Sequence, residues 1–139
     1  TKSYLPRVCT VPHQDCNNLA FGWCVVIALG DFDPEEGGHF VLHDLGIVIE
    51  FPPGACLLIP SACLWHSNIP IRKNDTRASI TFYAAGNLFR FIDNEFQNEP
   101  DLAKMNADLY QQRQEEKDTH WRKGLELYSK INDLILQDL

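Results

Sequence analysis

Apolar and polar positions alternate along the first two thirds of the chain, and the period then changes. Residues 7–15 read as a strand that places Cys9, Val11, His13 and Asp15 on one face, and Asn17-Asn18 breaks it with a turn. Residues 20–29, Ala-Phe-Gly-Trp-Cys-Val-Val-Ile-Ala-Leu, are apolar on both faces and predict a central strand buried on both sides. An acidic loop over 30–38 leads to a short strand from His39 to His43. Phe40 and Leu42 take one side of it, and His39, Val41 and His43 the other. A strand over 47–51 ends at Pro52-Pro53-Gly54, a tight turn in which Gly54 is free to take positive φ. Strands over 55–59 and 63–69 are split near Pro60-Ser61, and Arg72-Lys73-Asn74-Asp75 is a polar hairpin tip. In residues 76–85 the alternation is cleanest. Arg77, Ser79, Thr81 and Tyr83 share one face, and Ala78, Ile80, Phe82 and Ala84 the other. The polar face reads as a pocket wall and the apolar face as a surface for helices.

From Gly86 the period is helical. Pro100 suits the first turn of a helix, and residues 101–116 are rich in helix formers. Trp121, Leu125, Tyr128, Ile131 and Ile135 recur at spacings of three and four and predict one apolar helix stripe that buttresses the sheet. Roughly eight short strands followed by helices make an α+β fold. With polar residues facing inward from the strands, the expected closure is a double-stranded β-helix (cupin-like jelly roll) core with C-terminal helices. We expect the core over 1–96 and the helical extension over 97–139, packed together as one domain.

Composition bounds the rest. A chain of 139 residues with 45% hydrophobic content fills one domain. Five cysteines with no C-x-x-C pair predict neither a disulfide framework nor a zinc knuckle, and fit a reducing, intracellular compartment. No apolar run reaches the length of a membrane span, and no signal peptide is visible. The net charge of −7 argues against a general grip on nucleic acid. Residues 1–92 hold six Lys/Arg against eight Asp/Glu, and residues 93–139 hold six against eleven, so most of the acidity is in the tail. The start at Thr1, with His13 close behind, reads as a minimal core or a fragment of a longer protein.

Chemistry concentrates at His13-Gln14-Asp15. Two residues apart on a strand, the imidazole and the carboxylate aim at one point and can serve one metal ion. The best third ligand is His66 in Leu64-Trp65-His66-Ser67-Asn68. Two histidines and one carboxylate on one side of an ion form the facial triad of non-haem Fe(II) oxygenases, which leaves the opposite side open. His39 and His43 share a face, but no carboxylate completes a site with them, so they read as polar neighbours. A zinc cupin would also use histidines.

Arg77-Ala78-Ser79, eleven residues after His66, completes a pattern that resembles the 2-oxoglutarate oxygenases. That likeness implies Fe(II), 2-oxoglutarate and O2 as the reactants at the site. It makes Arg77 the anchor for the far carboxylate of 2-oxoglutarate, with one hydrogen bond added by Ser79. Gly37-Gly38-His39-Phe40 resembles a stretch of related hydroxylases in which the residue matching Phe40 lines the co-substrate pocket. The set His13-x-Asp15-x-x-Asn18, His66 and Arg77-x-Ser79 is more closely similar to the TET/JBP family, which oxidises the methyl group of 5-methylcytosine or thymine in DNA. The wider sequence resembles a fungal branch of that family found near mobile elements in basidiomycete genomes. This likeness covers nearly the whole chain from residue 11, through Asn18-Leu19-Ala20-Phe21-Gly22-Trp23, Ile49-Glu50-Phe51-Pro52-Pro53-Gly54 and Ala85-Gly86-Asn87-Leu88-Phe89-Arg90. The resemblance implies that Asn18 lies beside a flipped base, that DNA carrying a modified base is the partner, and that the protein works in the nucleus.

Three readings follow: an oxidase of 5-methylcytosine in DNA, a 2-oxoglutarate-dependent hydroxylase of a protein or small molecule, and a non-catalytic cupin-like module. The intact set His13, Asp15, His66, Arg77 and Ser79 argues against the third. No catalytic residue is expected beyond the metal ligands.

Overall fold

The computed structural model describes residues 6–135, apart from the side chains of His120, Trp121 and Leu134. Among the described residues the fold is mixed α+β, with two small antiparallel sheets and four α-helices. The chain divides into two compact units after Ala84, next to the change of period expected at Gly86 and twelve residues before the limit of 96 expected for the core.

The first unit holds both sheets. One sheet has β1 (Cys24–Asp31) at its centre, between β4 (Cys56–Ile59) and β6 (Thr76–Phe82). Val26 stands opposite Leu57 on one side and Thr81 on the other. The second sheet centres β2 (Phe40–Leu42) between β3 (Ile47–Ile49) and β5 (His66–Asn68), with Leu42 opposite both Ile47 and His66. Cys24, Val26, Ala28, Phe40, Leu42, Phe51, Ile59 and Ile71 form a single buried cluster, so the two sheets share one core. Central β1 is buried on one face only. Cys24, Val26 and Ala28 point inward, Val25 and Ile27 are half-buried, and Leu29 is exposed. Its all-apolar sequence predicted burial on both faces. The outer side instead leaves Leu58, Ile80 and Phe82 exposed.

Residues 7–15 do not form the expected continuous strand. They touch the sheets as two isolated pairings, Arg7 with Arg77 of β6 and His13 with His66 of β5. One short segment thus ties an edge of each sheet. The strand predicted over 39–43 stops at Leu42, because His43–Leu45 turns as a 3-10 helix closed by Gly46 at φ 62°. Gly54 takes φ 85°, as its turn requires.

In the second unit, α1 (Gly86–Asp93) is followed by α2 (Glu99–Met105), α3 (Ala107–Glu126) and α4 (Ile131–Ile135). Asn98 caps α2 by accepting from the Asp101 N–H, and Pro100 stands in its first turn. Asn106 caps α3 in the same way, accepting from the Leu109 N–H. Leu102 is buried, while Leu88, Phe91, Leu125, Ile131 and Ile135 are exposed. The single stripe expected over 121–135 is divided, because α3 ends at Glu126. The Leu127 N–H turns back to Gly124 O and the Tyr128 N–H to Leu125 O, tightening the last turn beside a glycine of poor helix propensity. The side chain of Trp121, expected in that stripe, lies outside the described residues. No helix among the described residues is long and apolar enough to cross a membrane.

Candidate metal centre

The pairing of His13 with His66 builds the centre. The His13 N–H donates to His66 O at 3.0 Å and the His66 N–H to His13 O at 2.9 Å, a closely bonded antiparallel pair whose side chains leave on the same side. The two rings lie 4.4 Å apart between centroids. Each ring is oriented by its own backbone. His13 Nδ1 lies 2.8 Å from Val11 O, and His66 Nδ1 2.8 Å from Leu64 O. A carbonyl only accepts, so Nδ1 carries a proton in both rings, which leaves Nε2 as the atom that can ligate a metal. Asp15 completes the group, with Oδ1 3.6 Å from His13 Nε2 and Oδ2 3.9 Å from His66 Nε2. One ligand atom from each residue falls within 4.8 Å of the others, and no other such group occurs among the described residues. The donor set fits a divalent ion with vacant positions, since two imidazoles and one carboxylate converge from one side.

Asp15 reaches this place through a turn rather than a strand. Its N–H donates to Ser61 O at 3.0 Å, and the Asn18 N–H returns to Asp15 O at 2.8 Å. Asn18 Nδ2 donates to Asp15 Oδ2 at 3.3 Å and to Ser61 Oγ at 3.1 Å.

A cavity of about 120 Å³ lies against the centre, lined by Thr10, His13, Asp15, Phe40, His66, Arg77 and Ser79, with Val26, Asn68 and Thr81. Phe40 stacks on His66 at 5.6 Å with an angle of 11°, and meets Phe51 edge-on. Arg77 is only 2% exposed. Its Nη1 donates to Val8 O at 3.3 Å, its Nε is buried with no partner among the described residues, and its guanidinium stands 6.0 Å above the Phe32 ring. Burial pulls the Arg77 pKa below its ordinary value, an effect the nearby Cys9 opposes in part. Arg77 is thus a buried cation with an unused donor, on the wall of the cavity.

Gly37 and Gly38 have a packing reason. A Cβ at Gly38 would sit 2.6 Å from the Phe32 ring, and one at Gly37 would sit 2.5 Å from Pro70 O. Bare backbone there lets Phe32 lie beneath Arg77. A second, open pocket of about 440 Å³ adjoins the first at Asp15 and Thr81, and is lined by Gln14, Cys16, Asn17, Asn18 and Tyr83 as well.

The structure therefore gathers His13, Asp15, His66, Phe40, Arg77 and Ser79 around one cavity and puts Asn18 at the adjoining mouth. His39 and His43 stay apart from it. His43 Nε2 lies 2.9 Å from Ser67 Oγ, and His39 Nδ1 is buried without a partner. Sequence reasoning missed Asn68 and Ser61. Asn68 Oδ1 accepts from the Thr10 N–H and hydroxyl, and its Nδ2 donates to Val8 O, so it clasps the segment that carries the ligands. Its i+2 spacing from His66 was the available signal. Cys9, Cys16, Cys24, Cys56 and Cys63 are all free thiols. Compared with known proteins, the chain matches no family model and no curated sequence.

Proposed function

We propose that the protein is an Fe(II)- and 2-oxoglutarate-dependent dioxygenase of TET/JBP type that oxidises the methyl group of 5-methylcytosine in DNA. The strand order is read as a double-stranded β-helix. The observation that carries the proposal is the convergence of His13, Asp15 and His66 beside a buried Arg77 with an unpaired donor. His13, Asp15 and His66 hold the iron. Arg77 binds the far carboxylate of 2-oxoglutarate, and Ser79, on the same wall, adds a hydroxyl. Phe40 walls the cavity and fixes the His66 ring by stacking. When bound, iron and co-substrate supply an oxidation in which 2-oxoglutarate and O2 yield succinate and carbon dioxide and a substrate C–H bond is hydroxylated.

The adjoining pocket supports a planar, hydrogen-bonding substrate. Gln14 and Asn17 bring amides, Asn18 its amide oxygen, Thr81 a hydroxyl and Tyr83 an aromatic wall. Such a substrate would place the enzyme on DNA in the nucleus. One observation favours the alternative, a hydroxylase of a protein or small molecule: among the described residues no Lys or Arg lines that pocket, whereas a flipped base is held in register through its phosphates. Mass spectrometry of 5-methylcytosine DNA incubated with Fe(II), ascorbate and 2-oxoglutarate separates the readings. Oxidised base together with succinate is expected. Succinate without oxidised base selects the hydroxylase, and neither product removes the oxygenase assignment.

A further inference from the structure

The Asn18 amide is spoken for. A carboxylate only accepts hydrogen bonds, so the atom facing Asp15 Oδ2 is the amide nitrogen and the carbonyl oxygen turns the other way. The second N–H goes to Ser61 Oγ. Ser61 is 1% exposed, and its backbone carbonyl also takes the Asp15 N–H. One buried residue thereby fixes the Asp15 backbone directly and the Asp15 carboxylate through Asn18. Both carboxylate oxygens face the imidazoles, Oδ1 3.6 Å from His13 Nε2 and Oδ2 3.9 Å from His66 Nε2, but only Oδ2 carries the Asn18 hydrogen bond.

We propose that Asn18 is a positioning residue for the metal. Anchored on Ser61, its amide occupies Asp15 Oδ2 and presents Oδ1 as the single ligating oxygen. The inference rests on the reading of His13, Asp15 and His66 as a metal triad. A carboxylate that gripped with both oxygens would take one more coordination position. Holding it to one keeps vacant the face on which co-substrate and oxygen must both bind. Outer partners of this kind orient a ligating group, and their removal typically weakens metal binding about ten- to a hundred-fold.

The test is a titration of the metal-free full chain with Co(II) alone, followed by its visible absorption, for the wild type, Asn18→Ala, Ser61→Ala, the double variant and His13→Ala. The wild type takes one equivalent and His13→Ala loses it; failure of either result refutes the triad reading itself. With the triad standing, Asn18→Ala raises the Kd about tenfold and alters the Co(II) spectrum, because a freed carboxylate changes the coordination number. A purely structural defect would lower the stoichiometry and leave the spectrum of the filled sites unchanged. Ser61→Ala shifts Kd and spectrum in the same direction, and the double variant is no worse than Asn18→Ala, because both act through one chain of contacts. Wild-type affinity and spectrum in Asn18→Ala, or in Ser61→Ala should Asn18→Ala fail to fold, overturn the proposal. So does full additivity of the two substitutions.

Discussion

Replacing Arg77 by methionine should move stability and co-substrate binding in opposite directions. The guanidinium is buried, uses one hydrogen bond to Val8 O, and leaves Nε unpaired. A buried charge so poorly compensated costs several kcal/mol of desolvation, and exchanging such groups for apolar ones of similar volume is often neutral or stabilising by about 1–4 kcal/mol. Two local details favour the gain. Val8 O keeps a donor, because Asn68 Nδ2 also reaches it at 3.2 Å. A methionine thioether over the Phe32 ring replaces the cation–π contact. A gain of about 1 kcal/mol should raise the Tm of the ligand-free protein by roughly 4 °C for a chain of this size. The same substitution removes a charge-assisted, bidentate partner of a carboxylate, worth about 1.5–3 kcal/mol, so 2-oxoglutarate should bind roughly ten- to a hundred-fold more weakly. Differential scanning fluorimetry with Mn(II), at rising 2-oxoglutarate, reads both effects in one experiment. The wild type should be shifted upward by the co-substrate and the variant should start higher but respond little. A fall in the ligand-free Tm of Arg77→Met would mean that the arginine is a satisfied core element. An unchanged response to 2-oxoglutarate would remove it from the co-substrate site.

Alanine at His13, Asp15 or His66 should each abolish one equivalent of Mn(II) or Co(II) in equilibrium dialysis, whereas alanine at His43 should leave that equivalent intact. Gly38→Ala should destabilise the protein by more than about 1 kcal/mol in urea unfolding, since residue 38 sits at φ 75° and the new methyl meets the Phe32 ring. Cys24 should be the last thiol to react with iodoacetamide as judged by mass spectrometry. It is the one buried cysteine, and burial is the main cause that pushes its pKa up, with the Ser61 hydrogen bond opposing and the Asp15 charge adding, so it is both shielded and poor in thiolate.

What could be read in advance depended on how local the physics was. Arg77, Ser79 and Thr81 are visible because alternate residues of one strand share a face, and His13 and Asp15 because they are two positions apart, although a turn and not a strand brings Asp15 in. Pro100 and Gly54 are legible for the same reason, since each constrains its own backbone. Contacts between distant residues were not legible. Nothing near Asn68 announces that its amide will clasp Thr10 and Val8, and nothing near Ser61 announces Asn18. The doublet Gly37-Gly38 stood out as a motif, but its packing reason lies with Phe32 and Pro70. Two periodic patterns were also overridden locally. The 3-10 turn at His43 ended a strand whose alternation continued, and the tightened turn after Glu126 split an apolar stripe that read as one helix.

The tie between His13 and His66 has a topological side. An ion held by both would close the intervening chain into a loop, as a disulfide closes one, but reversibly. For a loop of about fifty residues, the chain-entropy model puts the loss of freedom in the unfolded chain on the order of 4 kcal/mol. The segment that carries His13 has no strand ladder along it and is otherwise held by separate contacts: the pairing at Arg7, the Arg7 side chain on Ile71 O, the clasp of Asn68 and Arg77 on Val8 and Thr10, Gln14 Nε2 on Cys63 O and the Asp15 N–H on Ser61 O. Withdrawing the metal should therefore loosen residues 6–15 before any other part of the sheets. Limited proteolysis of the metal-free protein should nick that segment first, and adding Mn(II) should close it to the protease again.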